Sequence, residues 1–196
     1  MLSASQINFE RYFAPVFVPV SFELGKGELL LITGANGCGK TTLIRVLAGI
    51  LHPTSGKLED RSKGMAYVGH YLGIKDDLSV AENLRFMHDF LGTSRRSCEE
   101  VIKQVGLSRV EEQLARTLSA GQRKRCALAR LLLSETELWL LDEPYSNLDQ
   151  EGVDLVDHIL TGHLEDGGSC VLATHGAHRP DWAGTKDYLL VSGATA

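Results

Sequence analysis

Val16, Val18, Val20, Phe22 and Leu24 alternate with the positions between them, the pattern of a strand with one face on a core. Residues 1–33 read as β throughout. Gly25 and Gly27 mark a turn, and residues 29–33 form an unbroken apolar run, as in a strand covered on both faces. From Lys40 the period changes. Leu43, Val46, Leu47 and Ile50 share one face of a helix from 40 to about 50, which Pro53, Ser55 and Gly56 end. Short strands are predicted at 57–59 and 65–68. The middle is helical: Ser79 and Glu82 form a capping box for a helix to about 91, a second helix spans 97–105 before Gly106, and a third begins near Ala120, carrying Cys126, Leu128, Ala129, Leu132 and Leu133. Strands return at 138–141, 170–174 and 188–191, with a helix over 150–165. The expectation is one α/β domain over 1–196, a parallel-sheet core from about 1–70 and 136–196 with an α-helical insertion at about 71–135.

Composition narrows the function. A chain of 196 residues buries a sizeable core without disulfides. The net charge is −5 with no sustained block of Lys or Arg, which argues against a nucleic-acid partner, because neutralising phosphates needs a clustered basic face. Cys38, Cys98, Cys126 and Cys170 form no CxxC pair and no zinc spacing, and read as free thiols in a reducing compartment. No signal-peptide pattern and no run of membrane-spanning length is visible, so membrane attachment is expected through a partner.

The strongest chemical signal is Gly34-Ala35-Asn36-Gly37-Cys38-Gly39-Lys40-Thr41, an ungapped G-x-x-x-x-G-K-[ST] between an apolar strand and a helix. Its glycines let successive N–H groups point at phosphate oxygens, and the following helix adds its positive end. Lys40 supplies charge for the β and γ phosphates. Thr41, with Thr42 beside it, offers a hydroxyl to Mg²⁺. Cys38 reads as a tolerated small residue whose alkylation would block ATP. Downstream, the apolar run 138–141 ends in Asp142 and Glu143. An acid at a buried strand end holds Mg²⁺ in phosphate-loop ATPases, and the adjacent Glu143 can polarise the attacking water.

Further segments carry a resemblance to the ATP-binding cassette (ABC) family. Leu118-Ser119-Ala120-Gly121-Gln122 resembles the signature segment usually written LSGGQ, with Ala120 replacing one glycine. The resemblance implies that Ser119, Gly121 and Gln122 at a helix N-terminus face the γ-phosphate bound to an opposite subunit. Ser146-Asn147-Leu148-Asp149 resembles the D-loop, with Asp149 coupling the two sites, and Ala173-Thr174-His175 resembles the switch-histidine segment. By the same resemblance Tyr12, with Phe13 as the alternative, stacks on adenine. Ungapped alignment puts His70 where the family carries a Gln that reaches Mg²⁺ and the water. Histidine can replace it as a pH-sensitive donor or acceptor. The implied fold is an ABC-cassette phosphate-loop fold: a parallel-sheet core, an N-terminal antiparallel β region and an inserted helical subdomain.

Gly69-His70, Gly73-Ile74-Lys75 and Leu78-Ser79-Val80-Ala81-Glu82-Asn83-Leu84 resemble the ATPase subunits of the cytochrome c maturation system, as do Leu138-Trp139 before the acidic end. That narrower resemblance implies ATP and Mg²⁺ as ligands and pairing with a second cassette. It also implies an integral membrane partner in a haem-handling complex, and a peripheral place on the cytoplasmic face of the inner membrane, or the matrix face in an organelle. ATPase subunits of other transporters for lipid, peptide or ion, and soluble assembly ATPases, share the same catalytic residues. No haem-ligand motif is evident in the chain.

Overall fold

The computed structural model describes residues 1–92, 96–176 and 178–193. In chain order, β1 (Leu2–Asn8), β2 (Glu10–Arg11), β3 (Ala14–Pro15), β4 (Val20–Leu24) and β5 (Leu29–Thr33) precede α1 (Lys40–Leu47). Then come β6 (Ser55–Asp60), β7 (Met65–Val68), α2 (Val80–Leu91), α3 (Cys98–Gln104) and α4 (Ala120–Leu133). The chain closes with β8 (Leu138–Asp142), α5 (Gln150–Glu165), β9 (Ser169–Ala173) and β10 (Thr185–Leu189). Five strands form a parallel sheet in the order β10-β5-β9-β8-β7, and β4-β1-β6 form a separate antiparallel sheet.

The central strands explain themselves. Every residue of β8 and β9, and the first four of β5, is buried. Burying one such Val or Leu contributes roughly 1.5–3 kcal/mol, so the strand ends that carry chemistry are anchored by the best-packed part of the molecule. One cluster, including Leu30, Ile32, Leu43, Leu140 and Val171, fills one face of the sheet. Another, including Leu31, Leu141, Ile159 and Leu172, fills the other. The middle helices bury a third cluster of their own around Val80, Val101, Ile102 and Leu107. Helix α4 belongs to two clusters at once. Leu128 and Leu131 face the sheet, while Cys126, Ala129 and Leu133 face α2 and α3.

Local signals placed the helix starts well. Ser79 with Glu82, Ser97 with Glu100, and Ser119 with Gln122 each form a reciprocal capping box. Three expectations need correction. The β alternation breaks at Pro19, which has no N–H for a ladder: Phe17 is fully buried, Val18 is exposed, and β4 starts only at Val20. Helix α1 stops at Leu47 because Gly49 turns left-handed (φ 69°), with the N–H groups of Gly49 and Ile50 donating to the carbonyls of Val46 and Arg45; Ile50 is therefore exposed. The last strand is Thr185–Leu189 rather than 188–191. It is an edge strand, paired among the described residues only with β5, and its polar residues hide it from an apolar-run search. All four cysteines are unpaired, and among the described residues no helix is long and apolar enough to cross a membrane.

Candidate active site

Three chemistry-bearing loops leave the same edge of the parallel sheet, because β9 lies between β5 and β8. Its last residue, Ala173, is in register with both Ile32 and Asp142. The pairing continues past the strand ends. Thr174 N–H donates to the Ile32 carbonyl (3.0 Å), and Glu143 N–H donates to the Ala173 carbonyl (2.9 Å). The carboxyl ends of parallel strands are where open α/β sheets place their ligands.

The loop after β5 is shaped by backbone that only glycine tolerates. Gly34, Gly37 and Gly39 all have positive φ. A Cβ on Gly39 would sit 2.9 Å from both Phe17 Cδ1 and Val16 Cγ1, so the loop base also packs too tightly for a side chain. Among the described residues no backbone acceptor serves the N–H groups of Gly37, Gly39, Lys40 or Thr41. These are the unspent donors at the head of α1. Lys40 Nζ folds back onto the loop and donates to the carbonyls of Gly34 (2.8 Å) and Ala35 (3.2 Å). Ala35, Asn36 and Gly37 are exposed, whereas Thr42 is buried. Cys38 is also buried, packed under Gly34, so its thiol is far less open to alkylation than its loop position implied.

Across the sheet edge, Asp142 is 1% exposed, and among the described residues neither carboxylate oxygen has a hydrogen-bond partner. Burial pushes its carboxyl above the usual range, and the Glu143 charge adds to this. The neighbouring Thr41 hydroxyl, short of hydrogen-bonding geometry, opposes the shift, as do the charges of Arg45 and Lys124. Two buried, orphaned oxygens beside a threonine hydroxyl fit a hard, oxygen-seeking cation.

Glu143 has φ 53°, in the left-handed region that a non-glycine residue enters at a cost. Its Oε1 lies 2.7 Å from His175 Nδ1, and Thr174 Oγ1 reaches its Oε2 at 3.5 Å. The carbonyl of Glu143 accepts from Lys124 Nζ (2.8 Å), Ser146 Oγ (2.9 Å) and Ser146 N–H (3.2 Å). Lys124 escaped the sequence reading. The signal was there: it shares the i, i+3, i+4, i+7 face of α4 with Ala127, Leu128 and Leu131, where a charge is out of place.

Other predicted residues stand apart from this cluster. Ser119 and Gln122 hold each other at the exposed start of α4, through Ser119 N–H to Gln122 Oε1 (2.9 Å) and Gln122 N–H to Ser119 Oγ (3.2 Å). Gly121 packs so closely on the D-loop that a Cβ would sit 3.2 Å from the Asn147 carbonyl. Asp149 caps α5 through Gly152 N–H (2.9 Å), with Arg125 at 3.8 Å. His70 is exposed past β7, edge-on to Tyr71 at 5.9 Å between centroids, and among the described residues it makes no hydrogen bond. Tyr12 and Phe13 form the tip of the β2–β3 hairpin. Both have positive φ (52° and 62°) and are 93% and 100% exposed.

The family profile described as ABC transporter matches residues 17–146, which take in the phosphate loop, the signature segment and the Asp142-Glu143 end. The chain belongs to the ABC transporter family. This cassette is an ATP-binding domain and an ATPase of that family's type. It is 48% identical over 188 residues to the "Cytochrome c biogenesis ATP-binding export protein CcmA" of Xanthomonas axonopodis pv. citri (strain 306), covering 91% of this chain and 88% of that protein. It is 42% identical over 183 residues to the protein of the same name in Chelativorans sp. (strain BNC1), covering 89% and 91%. The likeness read from the segments between Gly69 and Leu84 points to the same proteins. In fold, the cassette is similar to a solved ABC transporter ATP-binding protein from Pyrococcus furiosus, with a TM-score of 0.82 at 20% identity over 97% of this chain and 98% of that one.

Proposed function

We propose that two cassettes close on two ATP molecules and that each ATP is hydrolysed by a water activated by Glu143, driving a membrane subunit during c-type cytochrome biogenesis. The observation that carries the catalytic part is the Glu143–His175 pair, 2.7 Å apart at the strand end next to the phosphate loop. Lys40 moves from the Gly34 and Ala35 carbonyls to the β and γ phosphates, and the free N–H groups of Gly37, Gly39, Lys40 and Thr41 take the remaining phosphate oxygens. Asn36, Cys38 and Thr42 shape that cradle. Asp142 and Thr41 would hold Mg²⁺, which would supply positive charge against that developing on the phosphates. Glu143 takes a proton from water as its oxygen attacks the γ-phosphorus, and the bridging oxygen leaves with ADP. His175 orients Glu143 and the water. Ser119, Gly121 and Gln122 complete the opposite subunit's site, with Asp149 coupling the two, so a monomer turns over poorly. His70 senses the water and the membrane partner, and Tyr12 stacks on adenine.

The likeness to cytochrome c biogenesis export proteins supports a membrane partner in a haem-handling complex at the cytoplasmic face of the inner membrane. ATP turnover there drives haem export or release of a haem-loaded chaperone. Tagged Glu143→Gln, expressed in the native host and trapped with MgATP, tests both parts. The expected result is a closed dimer without phosphate release, co-purifying a multi-span membrane subunit and a haem-binding partner. Brisk hydrolysis would remove Glu143 as the base. Recovery of an unrelated permease, or of soluble partners alone, would overturn the haem assignment and leave the ATPase intact.

A further inference from the structure

Lys124 is 4% exposed, in the second turn of α4 and five residues past Ser119. Lysine is almost never so buried, because its ammonium loses water that few interactions replace. Burial lowers its pKa, and the charges of Asp142 and Glu143 work against that shift. Its Nζ is spent on one main contact, the Glu143 carbonyl at 2.8 Å, with Ser146 Oγ at 3.5 Å. That carbonyl already accepts from both the hydroxyl and the N–H of Ser146. Three donors on one carbonyl over-determine the peptide that follows Glu143. A non-glycine residue at φ 53° persists only where its surroundings fix it so.

We propose that Lys124 is a positioning residue for Glu143. It ties the helix that begins with Ser119 and Gly121 to the backbone that aims the Glu143 carboxylate at His175. Docking of the signature end on the opposite subunit's nucleotide is then felt through one turn of helix at the base. The inference rests on the proposed role of Glu143. A merely structural lysine would be a poor choice here: burying its ammonium is costly, its main partner is a neutral carbonyl that Ser146 would still satisfy, and only its attraction to Asp142 and Glu143 offsets that cost.

The test is Lys124→Met in the full chain, alongside Glu143→Gln. Lys124→Met relieves a buried ammonium but forfeits its attraction to Asp142, so we expect it to melt within a few degrees of the parent and to keep its KM for ATP within about threefold. It should lose at least tenfold in kcat. In the Glu143→Gln background it should still form the ATP-dependent dimer. Unchanged kcat would overturn the proposal, and so would kcat, KM and melting temperature failing together, which would make Lys124 structural. If Glu143→Gln itself hydrolyses ATP, the base assignment fails and takes this inference with it. If Glu143→Gln is inert while Lys124→Met turns over normally, only the present inference fails.

Discussion

Replacing Asp142 by Asn should make the nucleotide-free protein more stable while destroying its response to MgATP. In the folded chain both carboxylate oxygens are buried without partners, and burial pushes the carboxyl up. A group whose folded pKa lies above its unfolded value binds its proton more tightly in the native state. Stability therefore falls as pH rises from the unfolded pKa through the folded one, and above that window the ionised Asp142 is a net burden. Leaving a neutral polar group unsatisfied costs about 1–3 kcal/mol, and a charged one more. Asn keeps the shape and loses the charge. Arg45 and Lys124 lose an attraction in exchange, so the net gain should be about 1–2 kcal/mol, or ~2–8 °C in melting temperature at this chain length. In the parent, ligand at a hundredfold excess over Kd should add about 2.7 kcal/mol. Thermal melts of parent and Asp142→Asn, with and without MgATP and from pH 5 to 8, provide the measurement. The variant should melt higher without nucleotide, gain little from MgATP, and lose its advantage as acid neutralises the parent's Asp142. A variant that melts lower than the parent at pH 7.5 without nucleotide would refute the reasoning, because Asp142 would then be a satisfied structural acid.

Three further outcomes follow from the same geometry. His175→Ala removes the side chain 2.7 Å from Glu143, and steady-state phosphate release should fall about a hundredfold or more with nucleotide affinity nearly unchanged. Gly39→Ala combines a Cβ at φ 105° with overpacking against Phe17 and Val16, which should cost about 2–4 kcal/mol in urea unfolding and weaken ATP binding as well. Tyr145→Phe removes the phenol that donates to Asp157 Oδ1 at 2.7 Å, beside His178 at 2.8 Å on Oδ2. The loss should be roughly 1.5–3 kcal/mol in the same assay, since the acceptor is charged and part-buried.

Where one residue type carries one physical demand, the sequence was readable. A glycine-rich loop, Ser79 followed three residues later by Glu82, and an apolar run ending in acid marked the phosphate loop, the cap of α2 and the end of β8; the structure adds the same box at Ser97–Glu100 and Ser119–Gln122. What escaped was whatever needed a third dimension. Pro19 shifts which side of the chain faces the core, and that cannot be seen in a list of valines. β10 is held by a single neighbouring strand and needs little apolar surface. Lys124 looks like one more cation among Arg123, Arg125 and Arg130 until the helix turns it onto the Glu143 carbonyl. The Tyr145–Asp157–His178 contacts join residues up to thirty-three positions apart in three separate segments.

The hairpin tip has an evolutionary corollary. A two-residue turn with both φ values positive is built most cheaply from Asn-Gly, and bulky side chains there cost about 1–2 kcal/mol each. Tyr12 and Phe13 occupy both positions and bury almost nothing in return. A population selected for foldability alone would drift to Asn-Gly within few generations of mutagenesis. A population selected for nucleotide-dependent work should hold on to at least one ring. On the proposed stacking role, the position that resists the drift would be the one that meets the base.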